Sequence, residues 1–127
     1  MKHFILLTFF ALFFCGDMVA DIDGSAAAQI NLQHKKHSSG HYEFPVPADQ
    51  PDAYYDSQNQ EIIIDGTGYV YYYDVEIAST TNWTVYIIAQ VSGYYGTIDI
   101  SSLPVGDYVI TIDSPTGNSF EGFFDTY

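Results

Sequence analysis

The sequence predicts an all-β domain in which two antiparallel sheets pack face to face. Three observations support this prediction. Short runs rich in Tyr, Ile and Val recur along residues 41–127, apolar and polar residues alternate within several of them, and turn-forming residues separate them. Such alternation is typical of antiparallel strands that have one face on a core and the other in water. No segment after residue 40 shows helical spacing of apolar residues over ten positions.

Eight runs are predicted to be extended. The first ends at Pro45 and Pro47, and proline suits an edge position because it cannot donate a backbone hydrogen bond. The longest run alternates Tyr73, Val75 and Ile77 with acidic residues. About seven strands in a segment of this length suit two packed sheets. The eight runs, in chain order, are residues 41–46, 52–56, 60–65, 69–78, 83–90, 96–101, 107–113 and 119–125.

One turn makes the predicted fold more specific. In residues 103–108 (LPVGDY), a tyrosine follows a Leu-x-x-Gly turn just before a strand. In immunoglobulin-like and fibronectin-type sandwiches, the phenol of such a tyrosine reaches back to the backbone and pins the crossover between the sheets. The sequence therefore predicts an immunoglobulin-like antiparallel β-sandwich of about seven strands, with structural roles for Leu103, Gly106 and Tyr108. Trp83, the only tryptophan, is predicted to anchor the core between the sheets.

The chain resembles small exported Bacteroides-type proteins of the family called domain of unknown function 3244. The resemblance is carried by residues 98–124, by the Pro-Val-Pro segment at 45–47, by the Leu-Pro-x-Gly-x-Tyr turn and by an aromatic-x-Gly-x-Phe strand at 120–124. The Tyr-rich run at 69–73 and the scarcity of basic residues depart from that pattern. The resemblance implies an immunoglobulin-like fold in a bacterial envelope or extracellular setting, and it implies no activity.

Residues 1–20 are predicted to be a signal peptide. Lys2 precedes an apolar run of 12 residues at 4–15, which is interrupted only by one threonine. A run of about 7–15 apolar residues suits a signal peptide, whereas a membrane span needs about 20. Cleavage is predicted after Ala20, with residues 26–28 (AAA) as a later alternative. The protein is thus expected in the periplasm, at the cell surface or outside the cell, without membrane insertion after cleavage.

Cys15 is the only cysteine. A lipid anchor at Cys15 would need a small residue before it, and Phe14 stands there, so an ordinary apolar residue that leaves with the signal peptide is favoured. Cleavage after Ala20 leaves no disulfide, thiol nucleophile or cysteine zinc site. Residues 21–40 are small and polar and are predicted to be a flexible arm, with a brief strand at residues 30–32 as an alternative for part of it, which leaves residues 41–127 as the sandwich.

The charge limits the choice of partners. The net charge is −13, and no Lys or Arg follows residue 40. Nucleic acids and anionic membranes are excluded as partners because both require patches of Lys and Arg. Divalent cations, cationic partners and neutral glycans are compatible with this charge.

Few residues suggest catalysis. No histidine follows His41, so a Ser or Thr in the sandwich has no imidazole base. Asp74 and Glu76 share one face of a strand at a separation of about 7 Å. That spacing suits a pair of glycosidase carboxylates, but such sites need a cleft and a buried acid. The domain is therefore predicted to be no enzyme, with a small hydrolase as a distant alternative. His34, His37 and His41 are read as part of a soluble arm rather than a metal site.

Several carboxylates near predicted loops are candidate calcium ligands, and a calcium-stabilised structural domain is the second functional hypothesis. Calcium requires about six to eight oxygen ligands, and no segment has the regular spacing of an EF-hand loop. No other cofactor is expected. The candidate ligands are Asp49, Asp52, Asp56, Asp65 and Asp113.

Tyrosine is the most unusual component of the composition. The 12 tyrosines include neighbouring pairs, which point to both faces of a strand, so that some are exposed. Exposed tyrosine suits sugar stacking or a protein interface, because the ring supplies contact area at a low entropic cost. The first functional hypothesis is therefore an exported, non-enzymatic binding or structural module for an unknown protein or glycan. The candidate contact residues are Tyr54, Tyr55, Tyr71, Tyr72, Tyr94 and Tyr95.

Overall fold

The computed structural model describes residues 27–35 and 46–126, which form nine β-strands. The predicted run at 41–46 lies almost entirely outside the described residues. The other seven runs each correspond to one strand, β3 to β9, with ends displaced by up to three residues. The strands are β1 (Ala27–Ile30), β2 (Gln33–Lys35), β3 (Asp52–Asp56), β4 (Glu61–Asp65), β5 (Tyr72–Ser79), β6 (Val85–Ser92), β7 (Tyr95–Asp99), β8 (Gly106–Asp113) and β9 (Ser119–Thr126).

The strands form two antiparallel sheets. One sheet has the order β1-β3-β4-β7, and the other has the order β2-β9-β8-β5-β6. The prediction of an all-β, two-sheet sandwich is confirmed. Within the described residues there is no helix that is long and apolar enough to span a membrane.

The core lies between the sheets and follows the alternation read from the sequence. Ile62 and Ile64 of β4 are fully buried, as are Ile110 and Ile112 of β8, and Phe120 of β9 completes the centre. Full burial of one such side chain contributes about 1.5–3 kcal/mol. Repetition of this pattern on both sheets explains how the chain folds without a disulfide.

The assignment of residues 27–35 to a flexible arm is wrong. β1 pairs with β3 in one sheet, and β2 pairs with β9 in the other, so that the connecting residues cross the edge of the sandwich. Ile30 and Leu32 are buried at this crossing. Gly122 lies beneath them, and a Cβ there would stand 2.6 Å from Ile30 Cγ2. Each strand is too short to show a period in the sequence, which is why composition alone suggested an arm.

The prediction that Trp83 anchors the core is also wrong. Trp83 lies in the β5–β6 connection with 67% of its surface exposed and φ of 60°. Its N–H donates to the carbonyl of Ser79 at 2.8 Å, and the Asn82 side chain accepts from Thr84 N–H at 3.0 Å. Trp83 is therefore part of the turn that begins with Thr80-Thr81-Asn82, and β6 begins only at Val85.

The turn before β8 has the geometry of a tyrosine corner. Tyr108 is buried, and its phenol donates a hydrogen bond to the backbone carbonyl of Pro104, four residues upstream. Leu103 packs against the core from the same turn. A Cβ at Gly106 would have its nearest neighbours at 3.9 Å, so this glycine is not required on steric grounds.

Candidate functional site

Four of the six candidate tyrosines lie at one end of the sandwich. Tyr71 ends the β4–β5 connection and Tyr72 begins β5, whereas Tyr94 lies in the β6–β7 connection and Tyr95 begins β7. Tyr69, which the sequence did not single out as a site residue, joins them from the β4–β5 connection. All five are exposed, to 91% for Tyr71 and 69% for Tyr94. We call these five residues the tyrosine end.

Backbone hydrogen bonds between the two connections hold the tyrosine end in place. Gly66 N–H donates to the carbonyl of Tyr94 at 2.9 Å, and Gly68 N–H donates to the carbonyl of Gly93 at 3.1 Å. In the other direction, Gly93 N–H donates to the carbonyl of Tyr71 at 2.8 Å. The two connections therefore form one interlocked unit rather than two independent loops.

Glycine is required for this interlock because the two backbones are in direct contact. A Cβ at Gly66 would stand 1.9 Å from the oxygen of Gly93, and a Cβ at Gly93 would stand 1.8 Å from the oxygen of Val70. Gly68 has φ of +79°, and the Tyr94 ring lies over it, 2.6 Å from where a Cβ would be. At Gly66 and Gly93 no other residue type fits without displacing the backbone, and at Gly68 the positive φ favours glycine.

The interlock rests on Tyr73, which is fully buried at the start of β5. Its ring lies 3.0 Å from where a Cβ of Gly66 would be, and its hydroxyl donates to the backbone carbonyl of Asp49 at 2.7 Å. Burial raises the pKa of the Tyr73 phenol, so the phenol stays protonated and continues to donate. The connections that carry the exposed tyrosines thus pack against Tyr73, a core residue whose position is fixed by a hydrogen bond.

Asp49 is a structural residue and not an open metal ligand. Only 2% of its surface is exposed. The Thr116 hydroxyl donates to Oδ2 at 2.6 Å, and Asn118 Nδ2 donates to Oδ1 at 3.0 Å. Burial acts to raise the pKa of this carboxyl, but hydrogen bonds from Ser114, Thr116, Asn118 and the backbone outweigh it and lower the pKa. Both oxygens are therefore occupied by donors from the β8–β9 turn.

The other candidate calcium ligands do not converge on one site. Asp56 caps the turn after β3, where it accepts from the N–H groups of Gln58 at 3.0 Å and Asn59 at 3.1 Å. Asp52 and Asp65 are cross-strand partners, and Asp113 accepts from the Ser119 hydroxyl at 2.7 Å in the other sheet. Nowhere in residues 27–35 and 46–126 do three His, Cys, Asp or Glu side chains form a group that could hold a metal ion.

Asp74 and Glu76 lie on the exposed outer face of β5, as expected. Asp74 accepts from Gln90 Nε2 of the neighbouring strand at 3.0 Å. Neither carboxylate lines the cavity of 260 Å³ at the β1–β2 crossing, which is bordered by Ile30, Leu32, Pro51 and other residues. The pair has the solvated environment of a strand face and lacks the burial of a catalytic acid.

Tyr54 and Tyr55 do not belong to the tyrosine end. Tyr55 faces the core and packs against Phe124, with ring centroids 5.5 Å apart. Tyr54 is half-buried on the opposite face of β3, where Ile63 of β4 is its cross-strand partner. Adjacent strand residues point to opposite faces, so one of this pair must point inward, and Tyr55 is the one that does. A contact role for Tyr55 stays a prediction, separate from the tyrosine end.

Comparison with known proteins shows the fold. No family model and no curated protein match the sequence. Among solved structures, the chain is similar to a protein of the domain of unknown function 3244 family from Bacteroides vulgatus ATCC 8482, which has an immunoglobulin-like β-sandwich fold. The two share 12% identity with a TM-score of 0.63 over 80% of this chain and 99% of that one. The likeness shows the immunoglobulin-like sandwich, and that protein comes from the family that residues 98–124 resemble.

Proposed function

We propose that this chain is an exported, non-enzymatic binding module that contacts its partner through the tyrosine end. The observation that supports the proposal most strongly is the presence of five exposed tyrosines on two interlocked connections and the strand residues that follow them. Large aromatic side chains exposed on a rigid base are costly to leave in water unless they contact something. Loops at one end of an immunoglobulin-like sandwich are the usual place for such contacts.

The composition of the connections favours a protein partner. Residues 66–71 read GTGYVY, and residues 92–95 read SGYY. Tyr, Ser and Gly are the residues enriched in antibody paratopes, where tyrosine supplies contact area with few rotatable bonds and small residues leave room for it. A neutral glycan would use the same ring faces and is the other class of ligand to be tested.

The charge of the domain favours a neutral or basic partner. Asp65 is the cross-strand partner of Tyr95, and Asp74 lies two residues after Tyr72, so carboxylates border the tyrosine end. With a net charge of −13, an acidic partner would be repelled as it approached, whereas a basic one would be attracted. Binding to a basic partner is therefore expected to weaken with added salt.

The binding test uses the full exported chain. It is immobilised and incubated with envelope proteins of the producing organism and, separately, with neutral oligosaccharides. A retained partner is purified, and its Kd is measured for the parent, for the double variant Tyr71→Ser/Tyr94→Ser and for Phe123→Ser. Phe123 is exposed on β9, outside the tyrosine end, and serves as the matched control.

Loss of two central aromatic contacts is expected to raise the Kd about 30-fold or more, which corresponds to about 2 kcal/mol. The control is expected to leave the Kd within about twofold. A partner that binds the double variant as tightly as the parent would contradict the proposed surface. Both variants replace exposed rings, so unfolding is not expected, and a circular dichroism spectrum checks it.

Export is proposed with cleavage after Ala20. The pairing of β1 supports this position over a cut in residues 26–28, because Ala27 and Ala28 pair with Asp56 and Tyr55. A cut after Ala28 would remove half of that strand. An intact mass that begins at Asp21 is the expected result, and a mass that retains residues 1–20 would contradict export.

A further inference from the structure

The two sheets of the described residues have four edge strands, and one of them differs from the rest. β1, β2 and β7 are four, three and five residues long, and β7 ends in Asp99. β6 is eight residues long (VYIIAQVS) and carries no charge and no proline. Short strands, charges and prolines are the devices by which proteins prevent edge strands from pairing with other chains. β6 lacks all three.

The outer side of the regular part of β6 is uncharged as well as unprotected. It carries Ile88, which is 80% exposed, together with Gln90 and Ser92. Val85 and Tyr86 are also exposed but lie at the irregular start of the strand, where the Tyr86 ring packs edge-on against buried Tyr108. A bulge interrupts the register with β5 between Ile77 and Ala78, opposite the start of β6. From Ile87 to Ser92 the pairing with β5 is regular, so this part of the strand presents a straight row of backbone groups to its free side.

We propose that β6 pairs in antiparallel fashion with β6 of a second copy of this chain, so that the two five-stranded sheets become one continuous sheet. The contact is isologous: the same strand serves both copies, and their association closes the only two edges involved. The assembly is therefore a dimer and does not extend into a filament.

The charge of the chain makes β6 of a second copy the most suitable strand of this protein to pair with the free edge of β6. Every other described strand of five or more residues contains at least one carboxylate, so pairing it with an acidic copy of the domain would place carboxylates in the contact. Like charges directly opposite each other destabilise a strand pair. Two β6 strands bring together only Ile, Ala, Gln, Val and Ser side chains over residues 87–92.

The nearest carboxylates across the contact are those of β5. Asp74 and Glu76 lie one strand away from β6, hence about 10 Å from the β6 of the second copy and about 14 Å from its β5. The Debye length is about 8 Å at physiological ionic strength. Repulsion between the two copies is therefore largely screened by salt, and dimerisation is expected to strengthen as salt is added.

This salt dependence distinguishes self-association from the proposed binding at the tyrosine end, which weakens with salt for a basic partner. The two proposals rest on different residues. Failure of either one leaves the other standing, because Ile88 lies within β6, whereas the tyrosine end lies on the β4–β5 and β6–β7 connections and the first residues of β5 and β7.

The test measures the mass of the exported chain by sedimentation equilibrium from about 1 to 300 µM, a range set by the weak affinity expected of a small contact, at low and high sodium chloride. The test variant is Ile88→Lys. A lysine at this position lies opposite Glu76 of its own β5, which preserves the fold, while it brings two cations to the contact. Val105→Lys is the matched control, because Val105 is 75% exposed on the turn before β8.

The parent is expected to approach twice the chain mass as the protein and salt concentrations rise. The dimer dissociation constant of Ile88→Lys is expected to be higher than that of the parent by about tenfold or more. Val105→Lys is expected to behave as the parent does. If Ile88→Lys fails to fold, Gln90→Lys replaces it. Hydrogen exchange adds a second measure: the amides of residues 87–92 that point away from β5 become protected with rising concentration in the parent and in Val105→Lys, but not in Ile88→Lys. A single-chain mass throughout, or dimers that Ile88→Lys and Gln90→Lys leave intact, would overturn the proposal.

Discussion

Replacing Gly93 by alanine tests whether the interlock between the two connections holds the tyrosine end. The added Cβ would stand 1.8 Å from the oxygen of Val70, 2.7 Å from its carbonyl carbon and 3.0 Å from the carbonyl carbon of Tyr71. All three atoms belong to the backbone, so no side-chain rotation relieves the overlap. The β4–β5 connection must move away by more than an ångström.

That movement breaks the hydrogen bonds between the connections. Three of them join Gly66 to Tyr94, Gly68 to Gly93 and Gly93 to Tyr71, at 2.9, 3.1 and 2.8 Å. Each contributes about 1 kcal/mol net, so the free energy of unfolding is expected to fall by about 2–4 kcal/mol. For a domain of this size, that loss lowers the Tm by about 10–20 °C.

The measurement is urea and thermal unfolding of the parent, Gly93→Ala and Gly106→Ala. Gly106→Ala is the control, because its Cβ meets its nearest atom at 3.9 Å and the substitution is expected to change stability by less than about 0.5 kcal/mol. If Gly93→Ala unfolds within about 0.5 kcal/mol of the parent, the interlock does not have the rigidity assigned to it.

Three further predictions concern other parts of the fold. Gly122→Ala places a Cβ 2.6 Å from Ile30 Cγ2 and is expected to release the β1–β2 crossing, seen as faster hydrogen exchange in residues 27–35 while β8 stays protected. The side chain of Asp125 forms a hydrogen bond with that of Asp107, which raises the pKa of Asp125. The pair therefore stabilises the fold at pH values below the ordinary pKa of aspartate, and this stabilisation is lost as the pH rises through the raised pKa. Asp125→Asn is expected to raise the Tm at pH 7 but not at pH 3, and an equal gain at both pH values would contradict this. Calcium, magnesium and sodium chloride at matched ionic strength are expected to shift the Tm equally by screening carboxylates, whereas a shift with calcium alone would restore the calcium hypothesis.

Alternation made most of the fold predictable from the sequence. Several of the strands β3 to β9 carry enough alternating residues to reveal one buried face, as Ile110 and Ile112 do in β8. The first two strands have four and three residues, which is too short to display a period. Their pairing depends on Gly122, almost a hundred residues away, which leaves space for Ile30 and Leu32.

The site was predictable only in part, because its geometry depends on contacts distant in sequence. Neighbouring tyrosines indicated exposure for Tyr71 and Tyr94, but nothing local distinguishes Tyr55, which packs on Phe124. Asp49 resembled a calcium ligand because it lies near other aspartates. Its actual partners, Thr116 and Asn118, are 67 and 69 positions away.

The most direct test of the tyrosine end as the contact surface is nitration of the chain with and without a partner retained in the binding test, read by peptide mass spectrometry. Tyr71 and Tyr94 are the most exposed tyrosines of the described residues, and Tyr54 is a half-buried internal reference on another face. Binding is expected to slow nitration of Tyr71 and Tyr94 about tenfold or more at saturation, as contact burial removes their surface from solvent, and to leave Tyr54 unchanged. Nitration of Tyr71 and Tyr94 at the same rate in the free and bound chain would contradict the assignment.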